Sequence, residues 1–349
     1  MKRIFYPYTI GSDSPIPNLF ENIGGDVADS DYEITILSNR RNGIMNHPRI
    51  VERYAGEPGS VKRRLRYLKS CLEKHDLIHT GGLAHYKISQ ISHLRNRSLH
   101  HLHTFRVDVN SQTFPTERKR KLLELTDHVS AVSKHTASTV KEAYDVDAEV
   151  IYNGVDTEEF HPHHPAPSDI VSESDEKPTF MFVGNFVNRK RPNHVIDVAR
   201  EVKDARFLLF GDGPMFDSVK RSADELDNVT VVGRVEKSKL PAIYANCTGL
   251  LFPSVREGCA NVVLEAMASG KPVVGYDATS MPELVTHRRT GWLADRDDVD
   301  GLIEGVRHVM AEDADTMAER TRRYVEENHR FDRIADQYID LYERMMEST

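Results

Sequence analysis

Short apolar runs recur along this chain, separated by segments whose apolar positions fall three and four residues apart. In the first half "KRIFYPY", "YEITILS", "DLIHTGG", "LHHLHTF", "HVSAVS" and "AEVIYNG" read as strands, while "VKRRLRYLKSCLEK" and "TASTVKEAY" carry helical spacing. Residues 161–178, "HPHHPAPSDIVSESDEKP", break the rhythm: proline, serine and acids leave almost nothing to bury, which predicts a linker or exposed loop. A second alternating set follows, with "TFMFVGN", "ARFLLFGDGP", "VTVVGRV", "GLLFPS", "KPVVGYD" and "GWLAD" as strands. Residues 314–346 read as helical with a break near "NHRFD".

Strands alternating with helices predict parallel pairing and a doubly wound, Rossmann-like α/β sheet in each half. The expected domains are 1–160 and 179–330, with a cleft between them. Ligands of such sheets bind at the carboxyl ends of the strands.

Length and composition narrow the class. The 349 residues exceed what one core usually holds, so two domains are the natural count. With 39% hydrophobic and 29% charged residues the composition is that of a soluble globular protein. No apolar run is long enough to span a bilayer, and "MKRIFYPYTIGSD" lacks the apolar core of a signal peptide, so a cytoplasmic location is expected. Cys71, Cys247 and Cys259 lie far apart and form no C-x-x-C pair, which fits a reduced compartment without structural zinc. A net charge of −8 argues against a dedicated nucleic-acid binder.

Candidate chemistry concentrates in "SVREGCANVVLEAMASGKPVV". "GLLFPS" is a buried-strand pattern, so Glu257 stands on the loop at its carboxyl end. Glu265 then falls inside a helix that Gly270 is placed to end. The residues leading into that helix, Gly258, Cys259, Ala260, Asn261 and Val262, would present unpaired backbone N–H groups, which suit a phosphate. Two carboxylates at this spacing are open to several readings: acid–base work, hydroxyl recognition, a metal, or a solvated helix face.

"FVGNFVNRKRP" places Gly184 and the cations Arg189, Lys190 and Arg191 in the loop after another strand. "GDGP" at 211–214 is a tight turn and by itself weak evidence of a nucleotide. In "LHHLHTF", His101 and His103 share one strand face while His100 and Leu102 take the other, and His103 is expected at the strand's carboxyl end. Several D-x-D triplets occur; those at 145–147 and 298–300 close no buried strand and read as chance spacing. No catalytic metal is expected.

These motifs together resemble retaining glycosyltransferases of family 4, which have the GT-B fold. The E-x7-E pair is joined, in order along the chain, by "VSAVSKHTASTV", "VIYNGVDTEEFHP", "FMFVGN", "LLFGDGP", "VVGRVEKSKLPAIYANCTGLLFPS" and "MPELVTHRRTGWL". The likeness is dense from about residue 127 to 300 and thinner before. It implies two Rossmann-like domains facing a cleft, and a last helix, residues 331–349, that crosses back to the amino-terminal domain. The stripe of Phe331, Ile334, Tyr338, Leu341 and Met345 gives that helix an apolar face in need of a partner.

The resemblance also implies roles. Glu257 would hold donor-sugar hydroxyls and Glu265 the ribose of a nucleotide diphosphate sugar. Lys190 matches a lysine that binds the diphosphate. Asn185 stands where the family usually has an arginine, so either Arg189 or Arg191 would reach the phosphates instead or donor binding would be weaker. Arg234 and Val235 would flank the nucleobase, and His103, with His101 as second choice, would point at the donor sugar. The family's Gly-Gly pair after the first strand is reduced to Gly11. The implied reaction is hexosyl transfer to a hydroxyl acceptor, either a glycan or lipid-linked, with no metal. A binding-only partner subunit and an epimerase of the same fold are the alternatives.

One further segment bears on partners. Residues 60–74 place Val61, Leu65, Leu68 and Leu72 on one helical face among Lys62, Arg63, Arg64, Arg66 and Lys69. Such a helix either covers its own core or lies on anionic membrane lipid.

Overall fold

The computed structural model describes residues 1–10, 27–28, 32–38, 48–54, 61–81, 91–92, 99–106, 116–167 and 177–347. Gly11 lies outside the described residues, as do Gly24 and Gly25. The chain divides into two compact units, Met1–Asn153 with Phe331–Thr349, and Gly154–Arg330.

The first unit is built on a seven-stranded sheet among the described residues. Its strands are β1 (Lys2–Ile10), β2 (Tyr32–Ser38), β3 (Ile50–Tyr54), β4 (Leu77–Thr80), β5 (His100–Phe105), β6 (His128–Ala131) and β7 (Glu149–Val150), in the order β3-β2-β1-β4-β5-β6-β7. Every pairing is parallel. The pairing of β1 with β2 slips between Tyr6 and Thr9, a stretch that contains Pro7, which has no N–H to give a ladder. β3, "IVERY", was not expected as a strand. It lies at the sheet edge, pairs only with β2, and is half-buried apart from Ile50, so its mixed polarity hides it.

The last helix, Phe331–Glu347, belongs to this unit. Its buried face of Ile334, Ala335, Tyr338, Leu341, Tyr342 and Met345 shares one core with Ile4, Tyr6, Ile34, Ile36, Leu77 and Leu102. Each large apolar side chain so buried contributes about 1.5–3 kcal/mol. The sheet residues beneath it are partly polar, and they are paired with one another. Tyr342 Oη lies 2.9 Å from Tyr6 Oη and 2.8 Å from His79 Nδ1, while His79 Nε2 lies 2.6 Å from Thr104 Oγ1.

Among the described residues the second unit carries a six-stranded parallel sheet, in the order β10-β9-β8-β11-β12-β13. The strands are β8 (Thr179–Val183), β9 (Arg206–Phe210), β10 (Val229–Gly233), β11 (Gly249–Phe252), β12 (Val273–Tyr276) and β13 (Gly291–Ala294). β8, β11 and β12 are buried at every position, as expected of parallel strands covered on both faces. Order reverses between β8 and β11, the position where sheets of this kind bind ligands at their carboxyl ends. The loops after these two strands carry the residues of interest. Helices Ala314–Asn328 and Phe331–Glu347 break at His329–Arg330, the interruption foreseen near "NHRFD".

Candidate functional site

The loop after β8 is shaped before it is charged. Residues Asn188–Lys190 form one 3₁₀ turn, Arg191 takes a left-handed φ of 50°, and Pro192 starts the next helix with the fixed φ that position wants. The GDG turn supports this loop from behind. Phe186 N–H donates to Asp212 O at 2.8 Å, and Met215 N–H to Phe186 O at 3.0 Å. A Cβ at Gly211 would stand 1.9 Å from Gly184 O, and one at Gly213 would stand 2.7 Å from Phe186 O. These glycines therefore serve a close backbone approach, which explains the motif without a nucleotide.

Three donors then converge on one oxygen. Glu257 Oε1 lies 2.5 Å from Lys190 Nζ, 3.2 Å from Arg189 Nη1 and 2.5 Å from Ser254 Oγ. Arg189 also donates to Arg256 O at 3.1 Å, and Val255 N–H donates back to Arg189 O at 2.9 Å, so the two loops are laced together. On the far side Glu257 N–H donates to Thr279 Oγ1 at 3.0 Å, and Ser280 Oγ donates to Glu257 O at 3.3 Å. Glu257 Oε2 has no protein donor among the described residues.

Lys190 is buried, and its ammonium sits 4.5 Å from the centre of the Phe252 ring. Burial pulls its pKa below the ordinary lysine value, and the Glu257 carboxylate beside it opposes that shift. Arg191 turns elsewhere: it donates to Asp297 Oδ1 at 2.9 Å and to Asn188. Asn185 is exposed. Of the three consecutive cations, two face Glu257 and one does not.

Helix Asn261–Ala268 follows. Its N-cap, Ala260, has no side chain to bond the first N–H groups, so that end is left without a side-chain cap. Gly258, Cys259 and Ala260 are buried, while Asn261 and Val262 are half-buried. The helix closes in a Schellman motif: Gly270, at φ 73°, donates to Met267 O at 3.0 Å and Lys271 N–H to Ala266 O at 2.9 Å. This is the stop assigned to Gly270.

Glu265 projects from the second turn and is half-buried. Tyr244 Oη donates to its Oε2 at 3.0 Å. Oε1 has no protein donor among the described residues. Burial pushes the carboxyl up to about 7, against the opposing pull of the Tyr244 hydrogen bond and the Lys237 charge. Both glutamates thus keep one oxygen engaged and one oxygen open.

The remaining candidates are placed differently. Arg234 is exposed and Val235 half-buried, on the turn after β10. His103 is not at the end of its strand: β5 runs on through Thr104 and Phe105 because both pair with β6. Its ring is fully buried, with Nδ1 2.7 Å from Thr80 Oγ1 and Nε2 3.0 Å from Lys119 Nζ. His101 Nε2 reaches the same Thr80 hydroxyl at 2.8 Å, and its Nδ1 faces Leu125 O at 3.0 Å. Both histidines belong to the first unit. Among the described residues no three His, Cys, Asp or Glu side chains gather to hold a metal. Ser254, Thr279 and Tyr244 were not anticipated. Ser254, two residues after β11 and three before Glu257, carried a readable signal; Tyr244, inside "LPAIYA", carried none.

Two doubly wound parallel-sheet units, the second bearing acid–cation contacts beside a helix amino end, define a two-domain α/β class of protein. Two family models match the chain: Glycosyltransferase Family 4 over residues 22–159, and Glycosyl transferases group 1 over residues 168–330. The chain belongs to the group 1 glycosyltransferases. It is 29% identical over 242 residues to a GDP-mannose-dependent alpha-(1-6)-phosphatidylinositol monomannoside mannosyltransferase of Mycobacterium tuberculosis, covering 64% of this chain and 63% of that one. It is 28% identical over 236 residues to the N-acetyl-alpha-D-glucosaminyl L-malate synthase of Bacillus anthracis, covering 63% and 60%. The match thus spans somewhat less than two thirds of these relatives' lengths. Among solved structures, sucrose-phosphate synthase from Thermosynechococcus elongatus superposes over 100% of both chains with a TM-score of 0.84 at 18% identity. Anabaena HepE, solved with UDP and glucose, gives 0.79 at 18% identity over 98% of this chain and 99% of its own. The fold is GT-B.

Proposed function

We propose that the protein transfers a hexosyl group from a nucleoside diphosphate sugar to a hydroxyl acceptor with retention of configuration. The observation that carries this reading is the convergence of Lys190, Arg189 and Ser254 on Glu257 beside an uncapped helix amino end, with Glu265 opening a second free oxygen from the same helix. A carboxylate oxygen accepts two hydroxyl hydrogens at once, so Glu257 Oε2 suits the donor sugar and Glu265 Oε1 suits a ribose. Lys190, Arg189 and the N–H groups of residues 258–262 supply positive charge for the diphosphate.

In the step itself the bond from the anomeric carbon to the diphosphate oxygen breaks and its electron pair leaves on that oxygen. The acceptor hydroxyl forms the new bond on the same face, and its proton passes to the departing phosphate. Holding that charge in a prepared setting is the main source of rate. No metal is assigned to this step, so activity should persist in a chelator. His103 and Gly11 stay candidates for the donor side from the first unit, and Gly184, Arg191, Arg234 and Val235 from the second.

The acceptor is a glycan or a lipid-linked hydroxyl. Helix Val61–Cys71 supports the second: Leu65 is 59% exposed, and both Leu65 and Leu68 line a cavity of about 660 Å³ with Lys69, Lys74 and the ion pairs Arg3–Glu33 and Arg53–Glu73. Exposed leucines beside Lys69 and Lys74 suit an anionic membrane surface. No described helix is long and apolar enough to cross a bilayer.

The test is incubation with UDP-, GDP- and ADP-sugars and candidate acceptors. Nucleotide release that depends on acceptor supports a transferase. Isomerised donor would mark an epimerase, and binding without turnover a partner subunit. Co-sedimentation with phosphatidylglycerol vesicles, lost in Leu65→Asp, tests the membrane contact.

A further inference from the structure

The tyrosine that touches Glu265 has no role in the scheme above. Tyr244 sits in the last turn of helix Leu240–Ala245 and is fully buried. Its hydroxyl is directed at Glu265 Oε2, 3.0 Å away. A buried phenol that finds one acceptor gives that bond weight, since losing it strands a polar group.

The tyrosine is itself held in place. The Phe160 ring packs edge-on against it, with centroids 5.8 Å apart and planes at 71°. Phe160 in turn is fixed by Arg322, whose Nη1 donates to Phe160 O at 3.1 Å and to Ala268 O at 2.6 Å, while Nη2 donates to Thr157 O at 3.1 Å. Ala268 is the last residue of the helix that carries Glu265. Tyr244, its packing partner and the glutamate's own helix are therefore tied into one frame.

A glutamate side chain has three rotatable bonds, and a single fixed oxygen selects among its rotamers. The geometry points to Tyr244 as a positioning residue that pins Glu265 by Oε2 and so presents Oε1 to the ribose hydroxyls of the bound nucleotide. This rests on the reading of Glu265 as the ribose acid. Burial and the neighbouring glutamate raise the Tyr244 phenol well above its ordinary value, so it keeps its proton and donates to the Glu265 carboxylate.

The arrangement has a pH signature. The groups acting on Glu265 are Tyr244 and Lys237, which favour the carboxylate, and burial and Glu159, which oppose it. Glu265 accepts ribose hydroxyls best when ionised, so affinity falls as pH drops through about 7. Removing the Tyr244 hydrogen bond takes away a contribution that favours the charged form, and the fall must then begin at higher pH.

The test is calorimetric titration of the full chain with UDP, GDP and ADP between about pH 6 and 9, with folding checked by thermal melts. For the nucleotide that binds, Tyr244→Phe should weaken affinity about five- to tenfold in alkali, where Glu265 is ionised but no longer pinned, and further at neutral pH as the midpoint moves upward. Glu265→Gln should lack the protein's pH step and report only the ligand's own titration. Adding Tyr244→Phe to Glu265→Gln should then cost little. Equal loss in the Glu265→Gln background, or no loss at all, would make Tyr244 a packing residue and overturn the proposal. If none of the three nucleotides binds the parent protein, the ribose reading fails and takes this inference with it.

Discussion

Lys190 Nζ stands 2.5 Å from Glu257 Oε1, across 67 residues of sequence, and both side chains are 10% exposed. A buried pair of this kind is costly to break from one side, because the surviving charge keeps its burial and loses its partner. Arg189 and Ser254 share the same carboxylate oxygen, so Glu257 is held from three sides.

Lys190→Ala should cost more activity than Arg189→Ala, and Arg191→Ala should cost least. Losing a charge-assisted contact to the leaving group raises the barrier by about 2–4 kcal/mol. Arg191 spends its guanidinium on Asp297 and Asn188, so its removal should leave turnover within a few fold. Steady-state kinetics on the three variants checks the ranking. A larger loss in Arg191→Ala than in Lys190→Ala would reverse the assignment.

The two glutamates should separate kinetically. Glu265→Ala is expected to weaken nucleotide binding, and Glu257→Ala to slow turnover with nucleotide affinity closer to that of the parent. Calorimetry with free nucleotide and single-turnover rates read the two quantities apart. Equal loss of fold in both variants, seen in thermal melts, would mean that the carboxylates act only as structural groups.

Stability should respond to pH through Glu265. Its folded value near 7 lies above the ordinary 4.5, so the folded chain holds a proton that the unfolded chain has released between those two limits. Stability from this group is therefore greatest below about pH 4.5 and falls as pH rises to about 7. Glu265→Gln should remove that slope, and ligand-free melts of variant and parent should diverge in the variant's favour from acid to neutral pH.

Tyr342→Phe should destabilise the first unit by about 1–3 kcal/mol, because it leaves Tyr6 and His79 without a shared partner in a buried setting. Removing residues 331–349 altogether should do more, exposing the apolar faces of Ile4, Ile34 and Leu77. Urea unfolding and dye binding to exposed apolar surface measure these effects. A truncated chain with the parent's stability would show the helix to be a dispensable tail.

Gly211→Ala tests the support behind the β8 loop. With φ at 137° and Gly184 O in the path of any Cβ, the loop must shift, and Lys190 shifts with it. The expected result is lost activity in a chain that still folds. Full activity would show that the Gly184–Lys190 loop tolerates movement.

Much of this molecule was written in local pattern. Alternating short runs and helical spacing announced two parallel sheets, because a period of two or of 3.6 is a property of consecutive residues alone. The same holds for the placement of Glu257 on a loop, Glu265 inside a helix, and Gly270 at its end, where only a residue that accepts a left-handed φ closes the turn cheaply. Other features were invisible for a physical reason. Arg189, Lys190 and Arg191 are three adjacent cations with no local difference. A 3₁₀ turn and one left-handed residue send two of them to Glu257 and the third to Asp297, contacts made across 67 and 106 residues of chain. His103 reads as the end of its strand until β6 pairs with Thr104 and Phe105 beyond it, and its neighbour Lys119, 3.0 Å from Nε2, comes from a separate helix. The hydroxyl of Tyr244 and the carboxylate of Glu265 lie on separate helices, and only their packing in the second unit brings them to 3.0 Å. Periodicity tells a side chain which face it occupies, and the partner on that face is chosen only when the chain has closed.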